Sequence, residues 1–252
     1  MATLDRSGVG IHYQDSGQGP AMLLTHGYSA TSQMWARQVE VFSSDYRVVT
    51  WDLRGHGQSD SPEAMSEYSE GAAVEDMEEI LRSCQVERAV IGGLSLGGYL
   101  SLAFHLVHPE TVRALILCDT GPGYKSDKGR DGWNRLAGGM ARAFEKRGLT
   151  ALGQSAEVQV STHRSAEGLA RAGHGMLVQF DSRVIESLES IRVPTLVVVG
   201  QQDEPFLAAT DYMAAKIPNA TKVVIPDAGH AVNIDQPEAF ERAVRSFLST
   251  LP

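Results

Sequence analysis

The strongest constraint on the fold is a repeated pairing of a short, uninterrupted apolar run with a longer stretch of helical spacing. Ala21–Thr25, Arg47–Trp51, Arg88–Gly92, Val112–Cys118, Thr195–Gly200 and Lys222–Ile225 are β-rich runs. Interleaved with them, Gln33–Phe42, Ser69–Cys84, Ser95–Val107, Thr210–Lys216 and Pro237–Leu248 read as helices, the third stopped by Pro109. Strands that are apolar at every position must be covered on both faces. This predicts an α/β fold with a mostly parallel central sheet flanked by helices. The alternation lapses between Gly123 and Ser187, a stretch rich in Gly, Ala, Arg and Met, helix-like over Trp133–Arg147 and without a clear strand. The expected organisation is therefore an α/β core from 1–122 and 188–252, with 123–187 a small helical cap insertion. An insertion after the C-terminal end of a strand lies where open α/β sheets bind ligands.

Composition narrows the classes of partner. Over 252 residues, 42% are hydrophobic and 21% charged, which argues against disorder and coiled coil. The 22 basic and 31 acidic residues leave a net charge of −9 with no basic block, so neither nucleic acid nor an anionic membrane is expected as a partner. No run of 18 apolar residues occurs, and an N-terminus carrying Asp5, Arg6 and His12 does not resemble a signal peptide. Two cysteines, Cys84 and Cys118, cannot build a disulfide framework; reduced thiols and a cytoplasmic location are the simpler expectation. There is no Walker loop, no G-x-G-x-x-G and no H-E-x-x-H, so no cofactor and no metal are expected. The sequence sets no oligomeric state.

The chemistry centres on Gly93-Leu94-Ser95-Leu96-Gly97, the one G-x-S-x-G in the chain. A strand precedes it and a helix follows, the context a nucleophile elbow requires. The turn is so sharp that side chains two residues either side of the serine would collide. A serine hydroxyl is a weak nucleophile and needs a base oriented by an acid. In this architecture the acid and then the histidine follow the serine in chain order. Asp203 and His230 each sit in a loop just after a strand, in Gly200-Gln201-Gln202-Asp203 and Asp227-Ala228-Gly229-His230. Glu204 and Asp227 are neighbouring alternatives for the acid, and Asp203 could instead cap the following helix. The oxyanion donors are expected to be the backbone N–H groups of Leu96, after the nucleophile, and Tyr28, in the loop His26-Gly27-Tyr28 after an early strand. The side chains of His26 and His56 read as structural.

Four blocks together resemble the α/β-hydrolase superfamily: the His26-Gly27 loop, Asp52-Leu53-Arg54-Gly55-His56-Gly57-Gln58-Ser59, the Ser95 elbow, and the Asp203/His230 pair. The resemblance runs from about residue 20 to 240 and implies a Ser95-Asp203-His230 triad of the serine esterase or lactonase-like branch. Its serine separates it from the epoxide hydrolase and haloalkane dehalogenase branches, whose nucleophile is Asp. In some relatives the acid follows the strand after the elbow helix, the place Asp119 occupies here, so Asp119 is the alternative to Asp203.

The cap is expected to roof a substrate pocket. Apolar lining is expected from Trp35, Tyr124, Trp133, Met140, Phe144, Leu177, Phe206 and Ala231, with Met176 and Phe180 further candidates. Arg130, Arg135, Arg142 and Arg164 leave room for a carboxylate anchor. The function so implied is hydrolysis of small or medium carboxylic esters through an acyl-enzyme, with the small-molecule ester or lactone and water as the only partners. Alternatives are a lactonase similar to enol-lactone hydrolases, a carbon–carbon bond hydrolase and, in a different class, a ligand-binding receptor on a hydrolase scaffold.

Overall fold

The two N-terminal segments, polar on one face and apolar on the other, pair as a hairpin: β1 (Ala2–Arg6) and β2 (Val9–Ser16) are antiparallel. The two residues joining them, Ser7 and Gly8, both take positive φ (56° and 91°), as a tight hairpin turn demands. The computed structural model describes residues 2–251. After the hairpin come β3 (Ala21–Thr25), a 3₁₀ turn over Ser32–Trp35, α1 (Ala36–Phe42), β4 (Arg47–Trp51), α2 (Glu70–Ser83), β5 (Ala89–Leu94), α3 (Leu96–Val107) and β6 (Val112–Cys118). The chain between β6 and β7 holds α4 (Asp127–Arg147), α5 (Ala156–Gln159), α6 (Ala166–Gly175) and α7 (Arg183–Ser187), and no strand. The sheet resumes with β7 (Thr195–Gly200), followed by α8 (Glu204–Lys216), β8 (Ala220–Ile225), α9 (Val232–Asp235) and α10 (Pro237–Leu248).

These strands form an eight-stranded sheet in the order β1-β2-β4-β3-β5-β6-β7-β8, parallel from β4 to β8. The strand period of two divides its side chains between two cores. Leu23, Val49, Ile91, Leu115, Leu117 and Val197 face one side, with residues of α2 and α3 such as Met77, Leu100 and Phe104. Met22, Leu24, Val48, Val90, Ile116, Leu196 and Val198 face the other, with Phe42 of α1 and Phe240 and Val244 of α10. Because β3, β5, β6, β7 and β8 run in one direction, the loops at their C-terminal ends open on one edge. They carry His26–Tyr28, Ser95, Asp119–Tyr124, Asp203 and His230. Several bounds differ from the sequence reading: α1 begins at Ala36 rather than Gln33, α4 at Asp127 rather than Trp133 and β8 at Ala220 rather than Lys222, while β5 spans Ala89–Leu94 rather than Arg88–Gly92. The hairpin is an addition to the expected sheet, because its edge strands interleave charged and apolar residues. Helix α8 begins at Glu204 rather than Thr210, because Pro205 sits in its first turn, where a missing N–H costs nothing.

Candidate active site

The serine stands on the turn from β5 to α3 with φ 55° and ψ −115°, a strained conformation for a residue with a side chain. Hydrogen bonds from outside its own helix hold it there. Its N–H donates to the Cys118 carbonyl (2.9 Å), and its carbonyl accepts from the Thr120 hydroxyl (2.6 Å). The flanking glycines are steric necessities. A Cβ on Gly93 would lie 2.4 Å from the Gly97 carbonyl carbon, and one on Gly97 would lie 2.2 Å from the Thr25 oxygen.

Asp203 closes the β7–α8 turn as the residue before the helix, yet its side chain makes no capping bond. Instead its buried Oδ2 lies 2.8 Å from His230 Nδ1. That contact fixes the tautomer: Nδ1 carries the proton and donates it to Asp203, which leaves Nε2 as the free base. Nε2 has no partner among the described residues. The His230 ring stacks on Phe206 at 5.1 Å. The Ser95 hydroxyl and His230 are not hydrogen-bonded here, but Phe206 and Ser95 line the same cavity. Glu204 and Asp227, the neighbouring carboxylates, are solvent-exposed. Asp119 is fully buried beside this pair. Its Oδ1 accepts from the Gly200 N–H (2.8 Å), Oδ2 has no hydrogen bond, and φ is 45°. Burial first, and then the adjacent Asp203 charge, push its carboxyl up to about 9.

The N–H groups of Leu96 and Tyr28 donate to no protein acceptor among the described residues. Leu96 is the first residue of α3, where helix N–H groups point outward unpaired. The Tyr28 loop is bolted by three buried histidines. His26 Nε2 accepts from the Leu53 N–H (3.0 Å), and Nδ1–H donates to the Gly27 carbonyl (2.7 Å). His56 Nε2 accepts from the Ser29 N–H (3.2 Å) while Nδ1–H donates to the Arg54 carbonyl (3.1 Å). His163, from the segment between β6 and β7, accepts from the Gly57 N–H (3.2 Å) and donates to the Ser29 carbonyl (3.0 Å). Each ring is thus donor at one nitrogen and acceptor at the other, so each must be neutral. The Tyr28 hydroxyl adds a tether, donating to the Leu169 carbonyl (2.7 Å).

A cavity of about 290 Å³ opens beside the serine. Its lining includes Leu96 and Thr120, with Tyr124, Trp133, Leu177 and Gln179 from the segment between β6 and β7 and Phe206 and Tyr212 from α8. A model of the alpha/beta hydrolase family matches residues 22–243. The chain belongs to that family. It is 30% identical over 270 residues to 3-oxoadipate enol-lactonase 1 of Acinetobacter baylyi, covering 98% of this chain and 96% of that protein. Among solved structures, a thermophilic esterase from Thermogutta terrifontis, with malate bound, superposes with a TM-score of 0.80 at 30% identity, covering 98% of this chain and 96% of the other. The enol-lactonase from Burkholderia xenovorans does so with a TM-score of 0.80 at 25% identity, covering 98% and 100%.

In this alpha/beta hydrolase, Tyr124, Trp133, Leu177 and Phe206 line the cavity as the sequence suggested, and four other expected residues do not. Trp35 is buried under the opposite face of the sheet against Phe240 (6.2 Å between rings). Met140 points to solvent. Phe144 follows Trp133 on α4 by three turns, about 16 Å along the axis, and packs edge-on against Tyr28 instead. Ala231 is buried as the residue that precedes α9. Met176 is buried in the core and Phe180 is 74% exposed. None of the four candidate arginines reaches the cavity. Arg130 donates to the carbonyls of Tyr124 and Lys125, and Arg164 to those of Gly57, Gln58 and Ser59. Sequence reasoning missed Thr120 and Gln179. Thr120 had a readable signal, since it follows a strand beside the elbow. Gln179 had none: its role comes from a clamp in which Asn134 Nδ2–H donates to its carbonyl (2.8 Å) and its N–H to Asn134 Oδ1 (2.8 Å).

The three histidines and Asp119 set opposite pH dependences of stability. Burial lowers all three imidazoles, His26 to about 4 from the ordinary 6.5. Between pH 7 and 5 the unfolded chain therefore takes up protons that the folded chain refuses, and stability falls as pH falls. His26 alone accounts for about 2 kcal/mol by pH 5. Asp119 works the other way: the folded state keeps its proton where the unfolded state releases it, which favours folding as pH falls. The histidine effect is therefore read in Asp119→Asn. Its melting temperature should drop by roughly 4–8 °C from pH 7 to 5. A midpoint that stays level or rises over that range contradicts the neutral bolt.

Proposed function

We propose that this protein is a serine hydrolase that cleaves uncharged carboxylic esters through an acyl-enzyme. The observation that carries the reading is the Asp203–His230 pair, which leaves a free Nε2 on the sheet edge where a strained Ser95 emerges. In the first step Ser95 Oγ attacks the ester carbonyl and its proton passes to His230 Nε2. Asp203 stabilises the imidazolium through Nδ1. The negative oxygen is received by the Leu96 and Tyr28 N–H groups. The C–O bond to the alcohol then breaks, and His230 returns the proton to the departing oxygen. Water repeats the sequence on the acyl-enzyme and restores the serine.

The uncharged preference comes from the wall. Among the described residues, no Asp, Glu, Lys or Arg lines the cavity. Behind it, the lining residue Tyr99 donates to Glu70 (2.7 Å), whose charge is already paired with Arg183 (3.7 Å). A carboxylate on the substrate would lose its hydration without a cation in return. The volume matches about ten water-sized groups, which suits short and medium acyl chains. A second reading, hydrolysis of uncharged lactones, uses the same steps with a tethered alcohol and is favoured by the likeness to enol-lactonases.

The test is a panel of p-nitrophenyl esters from acetate to octanoate, with uncharged lactones and the hemisuccinate ester alongside. A burst of p-nitrophenol and steady turnover are expected, with the hemisuccinate at least about tenfold below a neutral ester of equal length. Equal rates would refute the uncharged preference. Tight ligand retention without a burst would refute the enzyme reading in favour of a receptor.

A further inference from the structure

Asp119 is the one carboxyl beside the proposed triad that the mechanism leaves unused. It is completely buried at the end of β6, and its left-handed backbone (φ 45°) turns the side chain toward the β7–α8 turn. Gly200 N–H satisfies Oδ1, whereas Oδ2 receives no hydrogen bond. The carbonyl of the same Gly200 accepts the Asp203 N–H (3.0 Å), so the two buried carboxyls share one turn. Two carboxylates in one dry site cannot both be ionised, so the pair keeps a proton. The surroundings decide where it sits. Asp203 accepts the His230 Nδ1–H and lies at the start of α8, where the helix dipole favours an anion. Asp119 has one firm backbone donor, with the Val232 N–H also near. The other ionisable neighbour is Cys118, whose buried thiol stays neutral.

We infer that Asp119 is a neutral carboxylic acid whose Oδ2–H donates to Asp203, and that it acts as a positioning residue that holds the Asp203 carboxylate square to His230. Asp119 is therefore neither the acid of the triad nor a spare for it. Both oxygens of Asp203 are then occupied, one by His230 and one by Asp119, so the carboxylate cannot rotate away as the imidazole gains and loses its proton. This rests on the serine-hydrolase reading above.

The discriminating pair of variants is Asp119→Asn and Asp119→Leu, measured beside Asp203→Asn and Ser95→Ala. An asparagine retains both functions, since its amide N–H can donate to Asp203 and its oxygen can accept from Gly200. Asp119→Asn should keep kcat/KM within about threefold of the parent. Asp119→Leu should lose about ten- to a hundredfold in kcat with KM little changed, and move the acidic limb of its pH profile upward, because an unsupported Asp203 holds the imidazolium more strongly. Infrared difference spectra at pH 7 should show a protonated-carboxyl carbonyl band that Asp119→Asn removes, a readout independent of turnover and folding. The inference is overturned if Asp119→Asn falls as far as Asp203→Asn, which would make Asp119 the charged acid. It is also overturned if a folded Asp119→Leu leaves kcat and the pH profile unmoved, or if the band is absent. Undiminished turnover in Ser95→Ala would instead reject the serine-hydrolase reading and leave the protonated carboxyl to be judged by its band.

Discussion

Replacing Ser95 by alanine should abolish ester turnover, by on the order of a thousandfold or more in kcat, while leaving the fold intact. The expectation rests on local chemistry. Only the hydroxyl is removed, and the strained backbone that presents it is held by bonds from Cys118 and Thr120 that alanine preserves. The two unpaired N–H groups and the cavity also persist, so a small residual rate over water should remain. The decisive measurement is burst kinetics with p-nitrophenyl butyrate, together with a melting curve to show that the variant is folded. A variant that still produces the burst would place the nucleophile elsewhere.

Gly97→Ala should be severely destabilising, by about 3 kcal/mol or more, equivalent to roughly 6–12 °C in melting temperature. The new methyl would lie 2.2 Å from the Thr25 oxygen, 2.6 Å from its carbonyl carbon and 2.8 Å from the His26 oxygen. All three are backbone atoms at the end of β3, just before the loop that presents the Tyr28 N–H. Relief of the clash must either pull α3 off the sheet or open the oxyanion loop, so activity should fall with stability. Gly153→Ala is the internal control. Its methyl meets nothing within 4 Å, and it should change stability by no more than about 0.5 kcal/mol. If the two variants melt together, the steric account of the elbow fails.

Much of this molecule can be read before any coordinates, because a few requirements leave few solutions. The apolar runs from Ala21 to Ile225 demand two covered faces, and the observed division of Leu23 from Met22 and of Leu117 from Ile116 is that demand met residue by residue. The N-terminal hairpin escaped for the converse reason: an edge pair covered on one side carries charge, and its pattern does not stand out from a loop. Asp203 could be read either as a helix cap or as a partner of a distant histidine. The sequence supports both, and its bond to His230 with no capping bond separates them. In the segment between β6 and β7, aromatic identity was visible but direction was not. Trp133 and Phe144 share one helix, yet only the first reaches the cavity.

The residue types and their order along the chain are enough to establish the parallel sheet, the serine at its strand-to-helix turn and the loops that open beside it. Those features follow from local sterics and the period of burial, which neighbouring residues set. The neutral state of the three histidines, the protonation of Asp119 and the absence of charge around the cavity belong to the tertiary structure alone. Each depends on which groups exclude water from a given atom. That exclusion is produced by side chains far apart in the chain, such as Ser29 with His163 or Asp119 with Gly200, and no local pattern encodes it.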